Sequence, residues 1–401
     1  MTSDAESRSG FALRVAVFYG AIFVVYGMYL PFMPVWLDWK GLSAGEISFI
    51  MAAPLFLRAF VTPPVAMAAD RNHTHRRYLI ALAWAGLCFA LALTVSDAFW
   101  PILLFAVLLT ICNSTIIPLI ETIAMQGART RGLDYGRMRL WGSLSFIAAS
   151  FIGGAVLTAA GRGIGIWLIA LGGVLTIAAA HWLPKSDGAV PEEAAAQHTP
   201  LWHAAEPREL LANPEFRTFL IAAGLTQAAH ATLFTFGTLI WEKNGISSVS
   251  CGALWAIGVL AEVLLFSVST RVCEAFGAAR LLAMGAGISV VRWLALAFEP
   301  SLALLVPLQL LHAITYGATH LGAMHYIREK VPHRKAGSAQ ALYATVSSGV
   351  AMGVTTLIAG FAYTEVGALS YLAMAGFAVI ALVAALKLIR PTPMREAATE
   401  I

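Results

Sequence analysis

Polar residues punctuate this chain at long intervals, leaving apolar runs of about 20 residues or more between them. The runs fall at 11–37, 44–69, 78–96, 99–125, 139–160, 164–183, 215–241, 248–271, 278–298, 301–327, 337–363 and 367–389. The breaks are short and rich in charge, Gly or Pro, as in "DWKGLS", "DRNHTHRR", "RTRGLDYGRMR" and "EKNGISS". At about 1.5 Å per helical residue such a run crosses the ~30 Å hydrocarbon core of a bilayer. The pattern therefore predicts an all-α membrane protein with twelve transmembrane helices. The first run is too long for the core of a cleavable signal and is expected to remain as the first span.

Composition narrows the picture. Apolar residues make up 59% of the 401 and charged ones 12%, half the share of a soluble domain. The net charge of +4 is spread along the chain, so no basic patch points to nucleic acid. Cys88, Cys112, Cys251 and Cys273 stand singly, and no ligand spacing suits a metal. No cofactor is expected.

Lys and Arg set the orientation. With both termini cytoplasmic, 21 of the 26 basic residues fall inside and three outside: Lys40, Arg162 and Lys243. The positive-inside rule selects that arrangement. Trp36, Trp39, Trp100 and Trp241 then fall at the outer interface. Residues 184–214 are polar and Pro/Ala-rich, and they predict a cytoplasmic linker between six-helix bundles at 1–183 and 215–401.

Seven ionisable residues lie well away from the ends of the apolar runs. Counting from each span's cytoplasmic marker at about 1.5 Å per residue, Arg58 lies roughly 18 Å above Asp70 and Glu121 roughly 12 Å above Arg129. His230 lies roughly 20 Å above Arg217, Glu262 roughly 14 Å above Arg271, and Arg292 roughly 18 Å above Arg280. His320 is roughly 12 Å above Arg328, and His312 higher at roughly 24 Å. A central charge costs on the order of 3 kcal/mol to insert, so such groups face partners or an aqueous cavity. A polar layer supplied by both halves at mid-depth is where a transporter holds cargo. Glu262 and Arg292, at similar depth, are expected to pair, with His312 as relay or hydrogen-bond partner. A guanidinium at Arg58 or Arg139 suits a carboxylate, while Glu262 and the histidines are able to change charge. Trp141, Phe146, Phe234, Phe236, Tyr316 and Tyr343 would line an apolar pocket. "HTHRR" reads as a solvated loop, and Gly153-Gly154 and Gly172-Gly173 as sites of close helix contact.

The stretches "YLPFMPVWLDWKGLS", "AADRNHTHRR" and "LDYGRMRLWGSLSFIAASFIGG" resemble the major facilitator superfamily. With "LTQAAHA", "LWAIGVLAEVLLFSVS", "VVRW" and "QLLHAITYGATHLGAMHYI", they resemble its phenylpropionate-transporter family, related to the lactose permease group. The resemblance implies that Glu121 pairs with Arg139 at a substrate site; Gln227 and His230 are further substrate-binding candidates. It also implies that Glu262, Arg292 and His312 belong to the coupling machinery, and His320 is a further proton-coupling candidate. Asp70, Arg71, Arg76 and Arg77 match a gating loop, although that motif's glycines are missing. Two positions depart from the lactose group: Thr315 replaces its proton-carrying Glu, and Phe146 its sugar-stacking Trp.

The expected function is therefore a multi-pass transporter in a bacterial inner membrane, functional as a monomer. It would move a small aromatic monocarboxylate with protons. A sugar, nucleoside or drug-like solute is the alternative cargo. No nucleophile–base pair supports an intramembrane enzyme, and short loops without a soluble domain argue against a receptor.

Overall fold

The computed structural model describes residues 2–184 and 205–389. Most of the expected linker, and Lys185, Arg390 and Arg395 of the basic face, lie outside the described residues. Among those residues all regular secondary structure is helical. The first half comprises α1 (Thr2–Trp39), α2 (Ala44–Arg71), α3 (His75–Thr94), α4 (Phe99–Arg131), α5 (Tyr135–Ala160) and α6 (Gly165–Trp182). The short α7 (Ala205–Ala212) precedes a pair that forms one broken span, α8 (Pro214–Ala228) and α9 (Ala231–Lys243). Then come α10 (Ser248–Ser267) and α11 (Ser269–Ala297). Next, α12 (Leu302–Leu310) and α13 (Thr319–Lys330) flank a π-helical segment, Ala313–Ala318. A second π segment, Thr345–Ala351, lies between α14 (Ala336–Ala344) and α15 (Met352–Val366), and α16 (Tyr371–Ile389) ends the described chain.

Eleven of the helical stretches are long and apolar enough to cross a membrane. The last, His333–Ile389, runs 57 residues, far beyond one bilayer's thickness. It is interrupted at Gly367, whose φ of +58° suits glycine, followed by a 3₁₀ turn at Gly367–Ser370.

Short polar motifs start the helices where the sequence breaks fall. Ser43 and Glu46 form a capping box, the Ser43 amide donating to Glu46 Oε2 at 2.8 Å. Asp134 caps α5 by accepting the Arg137 amide at 3.1 Å, and Asn213 with Pro214 opens α8. α1 packs on α5 and α6, α3 on α4 and α6, and α2 on α4. In the second half α11 packs on α16 and α13, and α16 on α8.

The halves meet along α5 with α10 and along α2 with α15. Small residues set that approach. A Cβ on Gly154 would collide with the Ser248 carbonyl, and one on Gly252 with that of Ser150. Gly172 is likewise pressed against Val25, as the glycine pairs predict. Charge then seals the end of the molecule where α1 ends and α10 begins. Arg162 Nη1 donates to Asp38 Oδ2 at 3.0 Å. Its Nη2 lies 2.9 Å from Glu242 Oε2, an ion pair across the halves not aligned as a hydrogen bond. Ser248 donates to the same carboxylate, and the Val249 amide donates to Thr158 Oγ1 at 3.1 Å.

The tryptophans correct one expectation. Trp39 and Trp100 are exposed as interface anchors should be, but Trp36 and Trp241 are buried in the core. A sequence places a residue at a height along a helix; only packing decides which way it faces.

Candidate substrate and coupling site

The second half holds a buried polar cluster built on Arg292. The Arg292 side chain is fully buried. Its Nη2 donates to Gln309 Oε1 at 2.5 Å, and its Nη1 to Thr315 Oγ1 at 2.8 Å and His312 Nδ1 at 3.4 Å. The guanidinium carbon also lies 5.0 Å from the Trp293 ring centroid. Neutral acceptors thus surround the cation, and Nε keeps no partner.

The neighbouring imidazoles can be oriented from these bonds. Thr315 Oγ1 accepts from Arg292, so its hydroxyl proton turns to His230 Nε2, 3.1 Å away. His230 Nδ1–H then donates to the Thr226 and Gln227 carbonyls, both at 3.1 Å. That bond has a structural cause. The chain breaks between α8 and α9, where the His230 amide donates to Gln227 instead of Thr226. The ring supplies the donor that the Thr226 carbonyl lost. His312, whose Nδ1 accepts from Arg292, presents Nε2–H toward Glu262 Oε2 at 3.6 Å. The π segment lets α10 come close here: Glu262 packs on Gly317, and the His312 Cβ on Gly258.

The first half contributes differently placed charges. The Arg139 guanidinium lies over Phe23, 4.2 Å from its centroid, and over Tyr19 at 5.5 Å. It lies within electrostatic range of Glu121 in its own half and of Glu262 in the other. Arg58 donates to the carbonyl of Ser348, inside the second π segment. In such a segment the carbonyl register is shifted, which leaves oxygens able to accept from outside the helix.

The structure rearranges several sequence expectations. Glu262 and Arg292 do not pair: His312 stands between them, 3.6 Å from the acid and 3.4 Å from the guanidinium. Glu121 and Arg139 share a region but form no ion pair within 4 Å among the described residues. His230 belongs to the Arg292 cluster instead of an open substrate face. Gln227 donates to the Tyr316 carbonyl at 3.3 Å. Phe146 is buried at the α1–α5 contact, its backbone against Gly27. His320 lies near the rings of Phe266 and Tyr343 and has no part in the Glu262–His312 contact. In the loop after α2, Asp70 accepts from His75 at 2.6 Å, and Arg76 donates to the His181 carbonyl at 2.5 Å. Arg71 and Arg77 are exposed. These two contacts tie first-half helices to one another.

Gln309 went unremarked in the sequence although a signal existed. Gln309, His312, Thr315 and Thr319 recur every three or four residues in an apolar run, one polar stripe on a helix face. Ser348 had no such signal, because its role is played by a backbone oxygen.

The profile of the MFS_1 like family matches residues 12–373. The chain belongs to that family. This bears out the resemblance to the major facilitator superfamily. A probable 3-phenylpropionic acid transporter of Escherichia coli (strain K12) is 30% identical over 356 residues, covering 88% of this chain and 91% of that one. A maltose permease of Geobacillus stearothermophilus is 29% identical over 363 residues, covering 89% and 90%. Among solved structures, the nucleoside transporter NupG superposes with a TM-score of 0.81 at 15% identity, over 95% of this chain and all of that one. A bacterial homolog of the human lysosomal transporter Spinster gives 0.76 at 17% identity, over 96% and 99%. At these identities the two structures speak for the fold alone. The chain is a membrane-embedded member of a transporter family.

Proposed function

We propose that this chain is a proton-coupled symporter that carries a small aromatic monocarboxylate by alternating access. On this reading the 57-residue stretch holds two spans, making twelve. Six lie in 1–183 and six in 215–401, joined by a cytoplasmic linker at 184–214. The protein works as a monomer in a bacterial inner membrane, with both termini cytoplasmic and no nucleic-acid partner.

One observation carries the proposal: the charge of Arg139 in the first half reaches Glu262, which His312 faces at 3.6 Å in the second. When the halves rock, Arg139 moves relative to Glu262. A nearby guanidinium favours the ionised carboxylate and its withdrawal favours the acid, so the carboxylate's proton affinity differs between states. His312 Nε2–H is the hydrogen-bond partner that favours the ionised carboxylate. Arg58 supplies the carboxylate grip. Its present acceptor is a neutral carbonyl, which a substrate carboxylate would displace for a charge-assisted fork. Phe234 and Tyr316, which approach each other and the His312 ring, offer an apolar wall for an aromatic tail. The phenylpropionic acid relative supports the cargo; the maltose permease relative supports a sugar as the second reading.

Counterflow in proteoliposomes tests the coupling. Glu262→Gln is expected to exchange 3-phenylpropionate across the membrane while failing to concentrate it under a pH gradient. Accumulation by the Gln variant would refute Glu262 as the proton carrier. An amide analogue that competes as well as the acid would turn the cargo toward the sugar reading.

A further inference from the structure

An apolar groove of about 620 Å³ opens on the outer face of the first half, among α1, α5 and α6. That volume falls within the range of small-molecule pockets. None of the arginines or histidines of the candidate site lines it. Along α1 its wall is formed by Leu13, Val17, Gly20 and Val24, one face of the helix at spacings of three and four. From Leu13 to Val24 the wall is about 16 Å long, close to half the hydrocarbon core. The groove is therefore one leaflet deep. Its depth rests on Gly20, where a Cβ would come within 3.1 Å of Ser145 Oγ.

The mouth differs from the wall. Trp141 and Trp182 stand there exposed, where indoles meet lipid headgroups. The Arg14 guanidinium lies 5.9 Å from the Trp182 centroid. On the preceding residue of α6, Arg76 Nη2 donates to the His181 carbonyl, and Arg76 Nε is buried without a hydrogen-bond partner. Neither arginine forms an ion pair with a carboxylate among the described residues. Arg14 thus sits against Trp182, which lines the groove, and Arg76 against the backbone of the residue before it.

We infer that this groove is a binding site for an anionic phospholipid, one acyl chain lying along α1 and the phosphate held by Arg14 and Arg76. The charge selects the headgroup and the groove holds the chain. A basic rim near a membrane surface attracts anionic headgroups, each cation adding to the preference. Two such contacts predict a preference for anionic over zwitterionic lipid of about tenfold or more.

The test titrates purified full-length protein in detergent with phosphatidylglycerol or phosphatidylcholine of identical chains, following thermal unfolding. A lipid that binds only the folded state raises Tm with concentration. Phosphatidylglycerol is expected to act at about tenfold lower concentration. Arg14→Gln with Arg76→Gln should erase that preference while leaving the chain-dependent response. Ala178→Phe, which fills the exposed groove wall without touching charge, should weaken the response to both lipids. Arg280→Gln, an exposed arginine remote from the groove, should keep the preference. Equal response to the two lipids in the native protein overturns the site, as does a preference that survives the double arginine variant. Inorganic phosphate matching the effect of phosphatidylglycerol would also overturn it, since the groove would then contribute nothing.

Discussion

Arg292 and Arg139 are both guanidiniums within membrane-spanning helices, and the protein handles them in opposite ways. Arg292 is wrapped by an amide oxygen, a hydroxyl and an imidazole, all from one span of its own half, and is fully buried. Arg139 is partly exposed, rests on two aromatic faces, and feels acids from both halves. The first is fastened by directional bonds that no rocking of the halves need disturb. The second is held by ring faces, which tolerate sliding, and its field reaches across the interface. Fixed charge organises one half; movable charge couples the two.

Removing Arg292 is the strongest way to break this contrast. Arg292→Ala would leave Gln309, Thr315 and His312 without their donor and open a cavity, costing on the order of 3 kcal/mol or more. Arg139→Ala loses mainly ring contacts worth about 1 kcal/mol each, yet it should suppress transport. Thermal unfolding of both variants in detergent, beside counterflow, separates the two roles. If Arg139→Ala unfolds at lower temperature than Arg292→Ala, the assignment of fixed and movable charge is reversed.

A smaller effect is expected at the sealed end. There Arg162 is 39% exposed in its side chain, though Glu242 is only 6% exposed. Solvent around the arginine screens the pair to about 1 kcal/mol, or roughly fivefold in an equilibrium. Glu242→Gln should therefore speed maleimide labelling of Cys251, which is buried at the start of α10, about fivefold when the other three cysteines are serine. Unchanged labelling would mean that the glycine contacts alone hold the seal.

The smallest effect belongs to the exposed surface. Lys335 donates to Glu209 and holds that carboxyl below its ordinary range, while Glu206 accepts from Ser338 at 2.5 Å, so α7 docks on the start of α14. A depressed carboxyl stabilises above its unfolded value and loses that contribution as pH falls through the folded one. The protection of α7 amides against hydrogen exchange, relative to their intrinsic rates, should hence be flat from pH 7 down to about pH 5 and fall only under stronger acid. Glu209→Gln should change it little at pH 7, because the pair is exposed. A large change there would make the contact a genuine latch between α7 and the second half.

Much of this was legible along the chain. Apolar run length predicted the helices, and depth counting placed Arg58, Glu121, Glu262 and Arg292 inside them. Counting residues gives height, however, and says nothing of azimuth. Glu262 and Arg292 have similar estimated heights, yet His312 on a third span stands between them. Likewise Arg58 meets a backbone carbonyl made available by a π segment, a feature with no side-chain signature.

The sequence by itself determined the solvent of this protein and the positions where its helices cross, because burying backbone polar groups in lipid leaves an apolar chain few options but helices of bilayer length. It also determined that charge would be kept within the crossing helices, since a costly group persists there only with a partner. Which partner each charge found was decided by tertiary structure alone. Ion pairs and hydrogen bonds act over a few ångströms, and helices adjacent in sequence need not present those faces to each other. Packing of α10 against the π segment, and of α5 against α10 through Gly154 and Gly252, set the rotations that made the choice.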